Sequence, residues 1–312
     1  MNSFGRAQHN ESVSNAIITH DLGKTYGDRP IVRNLDLRVP EGCVYGFLGP
    51  NGSGKSTTMK MLLSLVRPTS GEVHIMGRRM QRSTRRSILG GIGSLIEAPP
   101  AYGHLTGHEN MRLVQRLLGL DQGQVQRAVR TVRLQEHLDK RVRDYSLGMK
   151  QRLGIALALA REPRILILDE PTNGLDPAGI EEMRRLLRYL AEQGITVMVS
   201  SHLLGEIDRT AQVLGILGNG RLLFQGSREQ LFSRSTPDVL IDTAEPERAT
   251  TLAARWSAVR EGHSVRVPGV DQAATARLVS HLVQGGVPVH GVRRQEQSLE
   301  DVFMDLTGGR GL

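Results

Sequence analysis

The chain has 312 residues, a single cysteine, 39% hydrophobic residues and a formal charge of +8, from 40 Lys and Arg against 32 Asp and Glu. That length and apolar share suit one large domain or two moderate ones and exclude a wholly disordered chain. The longest apolar runs, Leu153 to Ala160 and Ile165 to Leu168, fall short of the about 20 residues that cross a bilayer; the first residues lack a secretory pattern and Cys43 cannot form an internal disulfide, so a reducing cytoplasm is the expected compartment.

Residues 1–15 are polar and aperiodic, the pattern of a flexible tail. Strand patterns follow at Ala16 to Thr19, Ile31 to Val39 and Cys43 to Leu48, with turns read at Gly27-Asp28-Arg29-Pro30 and Pro40-Glu41-Gly42. Cys43, at the start of an apolar strand, reads as a small core residue. After Leu48 comes Gly49-Pro50-Asn51-Gly52-Ser53-Gly54-Lys55-Ser56, which fits G-x-x-x-x-G-K-[ST] without deviation and opens a helix with Met59, Leu62, Leu63 and Val66 on one face. The glycines let successive backbone N–H groups turn toward phosphate oxygens, and the helix N-terminus adds its positive end. In such a loop Lys55 reaches the β- and γ-phosphates, the Ser56 hydroxyl ligates Mg²⁺, and Thr57 adds a hydrogen bond to the α-phosphate.

A helical stretch is expected from about Thr106 to Ala160, with Thr106 and Glu109 at capping-box spacing and Gly119 as a stop. His104 and His108 straddle its start without the company of further metal ligands. The apolar strand Ile165 to Leu168 ends in Asp169-Glu170. Asp169, held at the strand's carboxyl end, suits Mg²⁺, and Glu170 suits the general base that polarises an attacking water. Asp176 and Pro177 then start a helix that Gly194 closes, and Ile195 to Ser200 reads as another buried strand. Apolar strands alternating with helices indicate a mostly parallel sheet covered on both faces.

Beyond Leu231 the rhythm changes. Strands are expected at Asp238 to Asp242, His263 to Val267 and Pro288 to Arg294, and helices at Thr250 to Val259, Ala273 to Gln284 and Ser298 to Leu306. They make a small α/β domain over 231–312, in which Trp256 reads as a packing residue. The positive charge is rich in arginine and spread out, and aromatic residues are only 4%, too few to serve as stacking platforms. Nucleic acid is therefore not expected as a partner, and a solvated surface facing anionic lipid fits better.

With these residues in hand, the chain resembles the ATP-binding subunits of ABC transporters. Tyr145-Ser146-Leu147-Gly148-Met149-Lys150-Gln151-Arg152 stands where that family carries L-S-G-G-Q-x-Q-R, with Leu147 and Met149 in place of a glycine and a glutamine. Asn173-Gly174-Leu175-Asp176 looks like the D-loop, His202 in Ser200-Ser201-His202 looks like the switch histidine, and Tyr26 matches the aromatic that stacks on adenine. The family usually has Gln between the core sheet and the helical insertion, whereas here Glu97 stands there. With the signature segment and Ser298-Leu299-Glu300-Asp301-Val302-Phe303, this looks like the branch that expels bacitracin and lantibiotics, and its drug-exporting relatives.

The resemblance implies an α/β P-loop NTPase cassette over 16–230. It would have a mostly parallel core sheet, an antiparallel β subdomain and a helical subdomain at about 97–160. It implies an ATPase with ATP and Mg²⁺ as cofactors, a membrane permease as partner, and a place at the cytoplasmic face of the membrane. The cargo would be a peptide antibiotic, or alternatively a small-molecule drug. A soluble ABC ATPase acting on ribosomes or DNA is disfavoured, because the chain has one glycine-loop motif and no extended heptads. The resemblance further implies a head-to-tail pair of copies, in which Ser146, Gly148 and the D-loop Asp176 of one copy complete the ATP site of the other. His202 would contact the γ-phosphate, and Glu97 would lie near Mg²⁺.

Overall fold

The computed structural model describes residues 14–97, 99–202, 205, 210–233, 237–295 and 299–307. The tail expected over 1–15 lies outside the described residues except for Ser14 and for Asn15, which already belongs to a strand. The chain divides between Gln225 and Gly226 into two compact units.

In the first unit an antiparallel sheet comes first. β1 (Asn15–Tyr26) pairs with β2 (Arg29–Leu35), β3 (Arg38–Pro40) and, after an intervening stretch, β5 (Ser70–Ile75), which is followed by the short β6 (Arg78–Arg79). Two expectations fail here. Arg29 and Pro30 belong to β2, not to the turn, because β2 is an edge strand where a missing N–H costs no ladder bond. The strand read over Ile31 to Val39 is broken after Leu35: Asn34 takes a left-handed φ of 46°, and the Asp36 side chain accepts a hydrogen bond from the Asp21 N–H at 2.8 Å. Tyr26, placed beyond the first strand by the sequence, is the last residue of β1.

The central sheet has the order β11-β10-β4-β9-β8-β7. β4 (Val44–Leu48), β7 (Ile92–Leu95), β8 (Ile165–Asp169), β9 (Thr196–Ser201) and β10 (Val213–Gly218) are parallel, and β11 (Arg221–Ser227) follows β10 through Asn219 and Gly220. Both turn residues have positive φ, 50° and 77°, as a two-residue hairpin requires. β4, β8 and β9 are buried along their whole length, which is why they read as unbroken apolar runs. Helix α1 (Lys55–Leu62) packs Met59, Met61 and Leu62 into one apolar cluster with Tyr45 and Phe47 of β4, Ile167 of β8 and Ile17 and Leu35 of the antiparallel sheet. A short α2 (Arg85–Leu89) precedes β7.

The region expected to be helical from Thr106 to Ala160, with a stop at Gly119, is three helices: α3 (Gly107–Leu118), α4 (Gln122–Thr131) and α5 (Leu147–Leu159), with two 3₁₀ turns between α4 and α5. Each break has a local cause. Thr106 and Glu109 form the expected capping box, Gly119 ends α3 in the left-handed region at φ 66°, and Asp121 with Gln124 forms a second capping box. α5 is buried over Leu153, Gly154, Ile155, Ala156, Leu157 and Leu159, as its nearly all-apolar composition dictates. α6 (Pro177–Glu192) has Asp176 as its N-cap, accepting from the Gly179 N–H at 3.0 Å, and Pro177 in its first turn.

In the second unit α7 (Arg228–Phe232) leads to a four-stranded antiparallel sheet, β13-β14-β12-β15, of β12 (Asp238–Asp242), β13 (Val259–Glu261), β14 (Ser264–Val267) and β15 (Gly291–Gln295). α8 (Pro246–Leu252) and α9 (Gln272–Gln284) supply Ala249, Leu278 and Leu282 to its core, and α10 (Leu299–Thr307) follows β15. The helix expected over Thr250 to Val259 is overturned: α8 stops at Leu252, a 3₁₀ turn covers Ala254–Trp256, and Ser257 at φ 58° reverses the chain into β13. Trp256 packs partly buried against that core, with its ring 5.5 Å from that of His281.

Candidate functional site

Four parallel strands end at the same edge of the central sheet, and each end carries a residue singled out by its chemistry. β4 runs into the glycine loop, β8 ends in Asp169 and Glu170, His202 follows β9, and β7 leads through Ile96 to Glu97. The register of β8 on β9 sets Asp169 opposite Ser200, which brings the two acids and the histidine together.

The glycine loop has the backbone its composition predicts. Gly52 and Gly54 have φ of 77° and 106°, and a Cβ on Gly49 would stand 2.5 Å from Leu217 O and from Ser53 Oγ. Ser53 is 3% exposed, and its hydroxyl has no hydrogen-bond partner among the described residues. The Ser56 and Thr57 hydroxyls, in the first turn of α1, likewise make no side-chain hydrogen bond among the described residues. Pro50 and Asn51 complete the loop, the Pro50 carbonyl accepting from the Ser53 N–H at 3.1 Å. A buried orphan hydroxyl and a cradle that admits no Cβ fit a phosphate chain, and Ser56 with Asp169 fits the hard oxygen ligands that Mg²⁺ takes.

Lys55 is 5% exposed. Its ammonium donates to the carbonyls of Gly49 (2.6 Å) and Pro50 (3.3 Å) and lies 4.0 Å from Glu170 Oε1. Burial pushes its pKa below the ordinary lysine value, with the carboxylates of Glu170 and Asp169 acting the other way. Glu170 has φ 49°, a conformation a non-glycine residue adopts only when its surroundings hold it. Here its N–H donates to Ser200 Oγ at 2.9 Å and its carbonyl accepts from the Asn173 N–H at 3.1 Å. Its Oε2 lies 3.0 Å from His202 Nδ1. The Ser200 hydroxyl in turn donates to Asp169 Oδ1 at 2.5 Å.

Sequence reasoning picked out Asp169, Glu170 and His202 but gave Ser200 no part, although it stood in the quoted Ser200-Ser201-His202 segment. A serine next to last in a buried apolar strand, two before a histidine, was the available signal. In this structure the Nδ1 of His202 is engaged with Glu170.

The remaining expected residues lie on flanking elements. Tyr26 is half exposed at the end of β1, with Lys24 Nζ 4.7 Å above its ring. The adjoining β2 reaches the glycine loop, since a Cβ on Gly54 would touch Ile31 O at 3.0 Å and Val32 at 3.1 Å. Glu97 has φ 65°, and its exposed carboxylate accepts from Lys60 Nζ at 2.5 Å, about one turn along α1 from the loop. That bond, foremost, raises the Lys60 pKa, with a smaller contribution from Asp169. Ser146 caps α5, accepting from the Met149 N–H at 3.2 Å. The Leu147 side chain stands 2.9 Å from where a Cβ on Gly174 would be, and a Cβ on Gly148 would meet Leu175 at 3.8 Å. The signature segment thus packs on the D-loop of its own chain. Asp176 serves here as the cap of α6.

Comparison with known proteins bears on what this arrangement does. Residues 32–173 match the family described as ABC transporter. The chain is 40% identical to the "Bacitracin transport ATP-binding protein" of Bacillus licheniformis, over 95% of this chain and 99% of that one. It is 44% identical to the "Lantibiotic transport ATP-binding protein" of Streptococcus pyogenes, over 68% of this chain and 94% of that one. Among solved structures, the "ATP binding subunit of ABC transporter" aligns with a TM-score of 0.63 and 29% identity, covering 70% of this chain and 92% of that one.

Proposed function

The chain belongs to the family of ABC transporter ATP-binding subunits, and from that premise we propose that it is the motor of an exporter that expels a peptide antibiotic of the bacitracin or lantibiotic kind. The observation that carries the cargo assignment is the 40% identity with a bacitracin transport ATP-binding protein along 95% of the chain, the second unit included. No helix among the described residues is long and apolar enough to cross a membrane. We assign the cargo path to a permease subunit, beside which this chain would work at the cytoplasmic face, a reading supported by its likeness to transport ATP-binding proteins.

The site's own groups suggest the division of labour. The N–H groups of the glycine loop and Lys55 bind the phosphates of ATP, with Ser53 inside the loop. Ser56 and Asp169 would hold Mg²⁺, which neutralises charge on the transferred phosphoryl group. Glu170 accepts the proton of the attacking water at its carboxylate. Lys55 stands toward one oxygen of that carboxylate and His202 bonds the other, so its direction is fixed before reaction. Tyr26 offers a face for the adenine.

Ser146 and Gly148, packed on the D-loop, are held at the start of α5. We take them to close over the ATP of a second copy, excluding water where electrostatic contacts count for more. Glu170→Gln tests this: the variant should form an ATP-dependent dimer without turnover, and persistent monomers with bound ATP would overturn the head-to-tail arrangement. Co-expression with its permease should raise tolerance to bacitracin or a lantibiotic. Unchanged tolerance to such peptides would shift the cargo to a small-molecule drug.

A further inference from the structure

Away from the glycine loop, α4, α5 and α6 enclose a hollow of about 560 Å³ with an unusual charge. Its wall includes five arginines: Arg127 and Arg130 on α4, Arg133 just after it, Arg152 on α5 and Arg185 on α6; Glu182 is the single acid lining it. Three of the five have carboxylate partners. Arg127 pairs with Glu162 at 2.6 Å, Arg185 with Glu181 at 3.6 Å, and Arg152 with Glu182. Arg130 and Arg133 make no ion pair or side-chain hydrogen bond among the described residues. They stand three residues apart, and Arg133 is presented from a left-handed backbone at φ 56°. Tyr189, half exposed, adds an aromatic wall shared with a second hollow of about 460 Å³.

Guanidinium groups crowded around one cavity repel one another unless an anion lies among them. Their planar forks match phosphate oxygens, and a volume of this size is that of a small-molecule site. We infer that this hollow is a binding site for a small, multiply charged, phosphate-bearing solute, held chiefly by Arg130 and Arg133. The site is reached independently of the ATP reading, since none of its lining residues belongs to the glycine loop or to β8 and β9. Its position gives the occupant leverage. The Arg152–Glu182 pair ties the helix that begins at Ser146 to the helix that begins at Asp176, and an anion in the hollow competes with Glu182 for Arg152. Those two helix starts are the loops that touch through Leu147 and Gly174.

Inorganic tripolyphosphate is a suitable probe, titrated by calorimetry into the full chain at low salt with EDTA present. One molecule per chain should bind at this hollow, with a Kd of about 100 µM or below, apart from any that the glycine loop takes up. Binding should persist in Lys55→Ala, which disables the glycine loop, and weaken about tenfold or more in Arg130→Ala/Arg133→Ala. Both arginines are exposed, so the double variant should fold and hydrolyse ATP as the parent does. Loss of binding in Lys55→Ala would assign the anion to the glycine loop and overturn the proposal. So would unchanged affinity in the double arginine variant, or no binding at all. A parallel arm measures sedimentation with phosphatidylglycerol vesicles. If vesicles bind through the same two arginines and tripolyphosphate does not compete, the hollow is a membrane contact and the proposal fails.

Discussion

Ser200→Ala is the sharpest probe of how the hydrolytic site is held. The Ser200 side chain is fully buried and makes two bonds, donating to Asp169 Oδ1 at 2.5 Å and accepting from the Glu170 N–H at 2.9 Å. Alanine removes both at once and adds nothing that could replace them. The bond to the carboxylate is worth about 1.5–3 kcal/mol and the backbone one about 0.5–1.5 kcal/mol, so a loss of roughly 2–4 kcal/mol is expected. In a unit of this size that lowers Tm by roughly 5–15 °C. Catalysis should suffer differently from binding. Glu170 sits at φ 49° and depends on its neighbours to stay there, so kcat for ATP should fall by about ten- to hundredfold as the carboxylate loses its aim. Among the described residues no hydrogen bond joins the glycine loop to Ser200, so KM for ATP should change far less than kcat. Steady-state ATPase measurements and thermal denaturation on the same preparations separate the two effects. A variant whose Tm moves by less than about 1 °C and whose kcat is within about twofold of the parent would refute the claim that Ser200 aligns the two acids.

Three further outcomes follow from the geometry. Lys60→Ala should lower the Mg²⁺ concentration that half-saturates ATPase activity, because the Glu97 carboxylate loses the cation at 2.5 Å; adding Glu97→Gln should reverse the change. Mg²⁺ titrations that coincide for all three chains would show that the pair has no bearing on the metal. Gly174→Ala forces a side chain onto a residue at φ 75° and into the Leu147 side chain, so it should destabilise the first unit by about 1–2 kcal/mol and weaken ATP-dependent dimerisation of a Glu170→Gln chain, read by size-exclusion chromatography. Burial pushes the Cys43 thiol up to about 11 from 9.0; the folded state therefore keeps a proton that the unfolded state releases, and stability falls between those two pH values. Cys43→Ala should make that slope shallower in denaturant titrations at pH 9 and pH 11, the buried Tyr45 hydroxyl, also raised by burial, accounting for what is left. Alkylation of native Cys43 at pH 8 should also be slow, since about one thiol in a thousand is ionised.

What the sequence revealed and what it concealed divide along physical lines. The glycine loop is contiguous, and its function lies in backbone turns that glycine alone permits, so its residues announce it. Caps are equally local: Thr106 with Glu109 and Asp176 with Pro177 depend on neighbours within a turn. The Ser200 bridge is different, because it exists only through the register that sets Asp169 against Ser200 across two strands. Periodicity says that β8 and β9 are buried and says nothing about which residue faces which. Pro30 misled for a related reason, since a proline is a turn signal unless its strand lies at an edge, and edges are a property of the finished sheet. The arginine hollow is further from view, because its walls come from helices that begin at Gln122, Leu147 and Pro177. Along the sequence those arginines look like an ordinary solvated surface.

Lys55 shows what the structure adds even where the motif was plain. The pattern assigns a lysine to the phosphates and leaves its own state open. Enclosed at 5% exposure, it would shed its proton more readily than a lysine in water, and the two acids beside it offset only part of that tendency. Its ammonium occupies the interval on the carbonyls of Gly49 and Pro50. A polyphosphate brings negative charge into the loop and acts against the effect of burial, in the same sense as the two acids. Glu170, with Lys55 at 4.0 Å from one oxygen and His202 bonded to the other, is held from both sides. The charge of the substrate itself thus completes the electrostatics of the site, offsetting at Lys55 the penalty that its burial imposes.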